Sequence, residues 1–70
     1  MKSKELPTIA KNIKKYREKL GISQDKLSKL AYVAYNVIIK IESGATLNPT
    51  IKTMAKIAIV LGVSIDDLIK

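Results

Sequence analysis

The segment Ser23–Gly44 reads SQDKLSKLAYVAYNVIIKIESG, and its reading decides the fold. Ser23 is a good N-cap, because its hydroxyl can accept from the free N–H groups of a first helical turn. Asp25 then places a negative charge where the helix dipole favours one. A helix over about residues 24–31 follows. A second, over about 34–43, closes at Gly44, the residue type that most readily takes the left-handed conformation of a helix C-terminus. Only Tyr32 and Val33 lie between them, so the segment is two short helices joined by a tight turn.

The flanking sequence continues the helical period. Ile9, Ile13, Tyr16 and Leu20 form one stripe of an amphipathic helix over about 7–20, with Lys11, Lys14, Lys15 and Lys19 on its other faces and Gly21 as its stop. Asn48-Pro49-Thr50 is a break followed by a start. Thr50 caps a helix over about 51–61 in which Ile51, Met54, Ala58 and Leu61 share a face. Gly62 ends it. Ser64 then opens a short last helix near 65–69, with Asp67 placed to bond back to the cap. The expected architecture is an all-α, compact five-helix bundle, a single domain over residues 1–70, with no strand pattern, repeat or linker.

Arg17 departs from the simple stripe. It lies four residues after Ile13 and three before Leu20, on the inward side. A buried guanidinium needs a carboxylate, because an unpaired buried charge is costly. Glu42, beside inward Ile41, is the plausible partner; the alternative is that Arg17 snorkels over the rim.

Composition narrows the function. Seventy residues bury roughly 60% of the unfolded surface, which makes a deep catalytic cavity unexpected and puts function on an outer face. There is no Cys and no His, so neither a thiolate nor an imidazole is available for a metal, and no cofactor is expected. Ser23, Ser28 and Ser64 have no base to activate them, and Asp66-Asp67 suits a helix first turn, so an enzyme is not expected. No signal peptide or membrane span is visible, which leads to an expected cytoplasmic location. Thirteen Lys+Arg against six Asp+Glu give a net charge of +7, a field that attracts polyanions. Residues 1–29 carry nine basic and three acidic side chains, so the charge is concentrated in the first part of the chain.

The landmarks Gly21-Ile22-Ser23-Gln24, Leu27, Ala31, Val33, Ile38, Ile41-Glu42 and Gly44 continue with Asn48-Pro49, Ala55-Lys56-Ile57-Ala58 and Leu61-Gly62-Val63-Ser64. In this register, from about Ile9 to Leu68, the chain resembles the Cro/cI-type (Xre-like) helix-turn-helix family of phage and bacterial repressors. The resemblance implies the lambda-repressor-like DNA-binding fold, with the helix-turn-helix formed by helices 2 and 3. It also implies sequence-specific binding of double-stranded DNA by a transcriptional regulator. In the family an Arg at the position of Arg17 pairs with a Glu at that of Glu42.

Carried over position by position, the resemblance puts Gln24 at a phosphate, where it also helps hold the recognition helix, and Tyr35, Asn36, Val37 and Lys40 at base edges. Asn36 suits adenine N6 and N7, and Lys40 suits guanine or a phosphate. The loop 45–48, including Asn48, falls where the family touches the DNA backbone. Such repressors commonly bind as dimers on half-sites about one helical turn apart, so a homodimer is a further expectation.

This chain departs from the family pattern at several outward positions. Tyr32 stands in the turn where Gly or a small polar residue is usual, and Ala34 where Ser or Thr would cap helix 3. Val37, Ile39 and Leu47 replace residues that are commonly polar, and Ile59 adds an apolar side chain on the outer side of helix 4. Together Tyr32, Tyr35, Val37, Ile39, Leu47 and Ile59 open an alternative: a protein-binding module on the same scaffold, natural or designed, whose partner is another protein or a second copy.

Overall fold

The computed structural model describes residues 7–46 and 48–70; Leu47 lies outside them. Among the described residues there are five helices and no strand: α1 (Thr8–Lys19), α2 (Gln24–Ala31), α3 (Tyr35–Ser43), α4 (Ile51–Leu61) and α5 (Ile65–Ile69). Their ends have local chemical causes. Ser23 accepts from the Lys26 N–H and Thr50 from the Thr53 N–H. Ser64 and Asp67 form a reciprocal capping box, with both bonds near 3 Å. Each satisfies donors that a helix start otherwise leaves unpaired.

Three helices stop in the same way. After α1 the Ile22 N–H bonds back to Arg17 O and the Gly21 N–H to Glu18 O. The pairs Val63 to Ala58 and Gly62 to Ile59 close α4, and Val33 to Ser28 and Tyr32 to Lys29 close α2. This is the Schellman pattern, which requires a left-handed residue just past the helix. Gly21 and Gly62 supply it at φ 71° and 72°, and Tyr32 supplies it at φ 57°.

Helix α1 packs on α3 and α5, α2 packs on α3 and α4, and α4 closes against α5. The core between them is aliphatic. Ile13, Leu27, Ile38, Ile41, Ile57 and Leu68 are fully buried, each worth roughly 1.5–3 kcal/mol relative to exposure. Two expected core positions are corrected: Leu20 is 51% exposed and Ile51 is 68% exposed. Both keep the period of their helices, but they lie at the outermost turns and overshoot the elements that would cover them. No helix among the described residues is long and apolar enough to cross a membrane.

Candidate nucleic-acid interface

One polar seam fixes the two helices of the helix-turn-helix against α1. Arg17 Nε donates to Glu42 Oε2 at 2.7 Å and Arg17 Nη2 donates to Glu42 Oε1 at 3.0 Å, a two-pronged pair. The side chains are only 11% and 4% exposed. Arg17 Nη1 also donates to the Ile22 carbonyl at 2.9 Å, which ties the pair to the loop entering α2. Hydrogen bonding to Glu42 raises the Arg17 pKa further, against the opposing effect of burial, so the guanidinium stays charged. Gln24, the first residue of α2, completes the seam: its Nε2 donates to Glu42 Oε1 at 3.0 Å. No buried side-chain polar atom among the described residues lacks a partner.

The bond from Gln24 to Glu42 agrees with the hold on the recognition helix that the resemblance implies for Gln24, although nothing in the residues themselves names Glu42 as its partner. The two residues are eighteen apart, and Gln24 reads as an outward residue at a helix start. The structure leaves it half-buried, with one amide proton committed inward and its side chain at the edge of the outer face.

The turn between α2 and α3 is Tyr32-Val33-Ala34. Val33 packs against the core, while Tyr32 is 86% exposed and its phenol makes no hydrogen bond among the described residues. A left-handed conformation costs a residue with a Cβ on the order of 1 kcal/mol or more relative to Gly. Ala34 occupies the N-cap of α3 and offers no side-chain bond to it.

Helix α3 turns Ile38, Ile41 and Glu42 inward. Tyr35, Asn36, Ile39 and Lys40 lie on its exposed side, so four outward positions, in two adjacent pairs, combine two apolar-bodied side chains with an amide and an ammonium. Val37 is placed differently from the expected reading face: it is half-buried and packs against the core cluster. The reason is the helical period, since Val37 adjoins Ile38 and lies four residues before Ile41, on the flank of the buried stripe. Asn48 is exposed in the loop that follows. Ile59 is 79% exposed, but it sits on α4, whose packing partners are α2 and α5. Tyr32, Tyr35, Asn36, Ile39 and Lys40 are exposed on the turn and α3, Val37 is only partly exposed beside them, and Ile59 lies on a different helix.

No group of three or more acidic, His or Cys side chains among the described residues could hold a metal, and those residues enclose no pocket. What the surface offers is a helix with one outward amide and one outward lysine, on a chain of net charge +7.

The helix-turn-helix family model matches residues 13–68. The chain belongs to the helix-turn-helix family. It is similar to the HTH-type transcriptional regulator SinR of Bacillus subtilis (strain 168), with 36% identity over 61 residues that cover 87% of this chain and 55% of that protein. SinR of Bacillus licheniformis gives the same identity and coverage. The chain thus spans about half the length of these relatives. Among solved structures it superposes on the N-terminal DNA-binding domain of Bacillus subtilis SinR with a TM-score of 0.88 and 35% identity, covering 90% of this chain and 91% of that one. The crystal structure of SinR, described as the master regulator for biofilm formation, in complex with DNA matches with a TM-score of 0.86. Its identity is also 35%, and the match covers 89% of this chain and 98% of that one. These likenesses establish the Xre-like character of the fold, with α2 and α3 as its helix-turn-helix pair.

Proposed function

We propose that this helix-turn-helix chain is the DNA-binding unit of a transcriptional regulator acting in the cytoplasm, and that α3 enters the major groove of double-stranded DNA. The observation that carries the reading is the match, along nine-tenths of both chains, to a solved domain described as DNA-binding. A related chain in complex with DNA supports it further. In this reading Asn36 grips an adenine edge, Lys40 takes a guanine or a phosphate, and Tyr35 flanks them. Gln24 holds a phosphate with the amide proton that Glu42 leaves unused, and Asn48 touches the backbone from its loop. Val37 contributes to the seating of α3 more than to its reading.

The protein-binding alternative draws no support from the arrangement. With Val37 turned inward and Ile59 on α4, the apolar outward residues near the turn are interrupted by Asn36 and Lys40. Interface cores are depleted of charged residues such as Lys40.

The test is a selection of duplexes from a random pool, with binding repeated at low and physiological salt. An enriched motif that survives the higher salt is the expected result, and two-fold symmetry in it would mark a homodimer. Binding with no motif, vanishing as salt rises, would be the net charge alone and would sink the reading. On the selected duplex, Asn36→Ala should weaken binding by roughly 1–3 kcal/mol and relax preference at one base pair. Gln24→Ala should weaken all sequences alike.

A further inference from the structure

We infer that Tyr32 is a DNA-contact residue of this chain, its phenol donating a hydrogen bond to a backbone phosphate beside the point where α3 meets the duplex. The inference rests on the DNA-binding reading above and adds to it a residue which that reading does not use.

The argument starts from a comparison inside the molecule. The same backbone pattern closes α1, α2 and α4, and its left-handed position is Gly21, Tyr32 and Gly62 in turn. At Gly21 and Gly62 an added Cβ would meet nothing within 4 Å, so space alone does not call for glycine there. The requirement is the positive φ, and Tyr32 has the same one. Its side chain gives the fold nothing in return. It is 86% exposed, it lies outside the core and its packed margin, and its hydroxyl bonds to no group among the described residues. On folding grounds alone the position favours glycine. An observed backbone outlier with no internal compensation is the circumstance in which a functional role is inferred.

The direction of that role follows from the neighbours. Tyr32 stands three residues before Tyr35 and four before Asn36, in the turn that delivers α3. Lys29 lies exposed one turn back on α2, bonded to Asp25 at 3.1 Å. A side chain with an apolar body and a donor at its tip, on a chain of this charge, suits a sugar-phosphate strand: the ring lies against sugar and the hydroxyl reaches phosphate. Because the phenol is neutral, the contact adds affinity without releasing a counterion.

The test uses the duplex selected by the unaltered chain and a scrambled duplex of the same length. Tyr32→Gly should keep its thermal midpoint at or above that of the unaltered chain, since glycine accepts the φ without strain. It should bind both duplexes about tenfold more weakly, the loss expected for one hydrogen bond to a charged group. The slope of log affinity against log salt should not change. Tyr32→Phe should also lose affinity, because it lacks the donor, but no more than Tyr32→Gly, because it keeps the ring. Undiminished affinity in either variant would overturn the contact, as would a loss confined to one base pair of the selected duplex. A loss of self-association in Tyr32→Gly with DNA binding unchanged would assign the residue to a protein interface and overturn it too. Failure of the unaltered chain to select any duplex would be a failure of the DNA-binding reading itself, and is visible before any variant is made.

Discussion

Helix α2 begins under three separate constraints: the Ser23 hydroxyl accepts from the Lys26 N–H, Asp25 sits in the first turn, and Gln24 is bonded to the buried Glu42. Helix α3, nine residues long and lying just across the turn, begins under none of them. Its cap position is Ala34, its first turn holds no acidic residue, and the residue two before the cap is held left-handed without being glycine. The two helices of one motif are thus secured at opposite places. The first is fixed at its start. The second is fixed through its body, by Ile38 and Ile41 in the core and by Glu42 near its end. Anchoring α3 from behind leaves its leading residues with few internal partners, which suits a surface that must meet something else.

The change that tests this contrast hardest is Glu42→Gln. It removes the charge that holds both Arg17 and Gln24 and leaves a buried guanidinium uncompensated, so it should cost about 3–5 kcal/mol. In a domain of this size that lowers the thermal midpoint by well over 10 °C. Melting that stays unaltered in Glu42→Gln and also in Arg17→Met would show that the seam does not anchor the pair of helices. A paired change at the two helix starts comes next. Ser23→Ala should lose about 1 kcal/mol, and Ala34→Ser should gain a similar amount, both read by chemical denaturation. No gain from the serine would mean that the start of α3 is already satisfied in a way its backbone does not display.

The smallest effect is expected at α5, where a start like that of α2 is governed by pH. The Asp67 pKa is lowered, first by the Ser64 backbone N–H and then by the Ser64 hydroxyl. A folded-state pKa below the unfolded one contributes stability above the ordinary carboxylate range, and that contribution is lost as pH falls through the folded value. Melts of Asp67→Asn and the unaltered chain should therefore differ at pH 7 and converge below about pH 4. A gap that persists at pH 2.5 would show that the carboxylate's charge is not what the box uses.

The sequence made the element ends legible because their causes are local: Ser23, Thr50 and Ser64 announce starts, and Gly21, Gly44 and Gly62 announce stops. The pairing of α2 with α3 followed from the single short turn between them. Periodicity was less informative at its margins. It carried Leu20 and Ile51 into the core although no neighbour reaches them, and it did not separate Val37 from the outward face. The Arg17–Glu42 pair was legible because a buried guanidinium demands a carboxylate, but the other long-range polar bonds were not, for a different reason. Gln24 and Asn12 are ordinary surface residue types, and what gives each a role is a partner many residues away. The outer face of α3 was legible as a list of residues, but side-chain type alone does not say which macromolecule they meet.

Asn12 has a consequence for the order of events in folding. Its amide lies on α1 and donates to the carbonyls of Asp67, Leu68 and Lys70 at 3.3, 2.9 and 3.3 Å, so it serves as a C-terminal clasp for α5. Five residues are far too few to sustain a helix in water. The nucleus must therefore come from elsewhere in the chain, and the clasp requires a loop of more than fifty residues to close before it rewards anything. Helix α1 can pack on α3 beforehand, but the part of its face that α5 covers stays open until α5 docks. The bundle cannot be completed in instalments from its first helix. Helix α5 acts as a keystone, held by a residue of α1 more than fifty positions away.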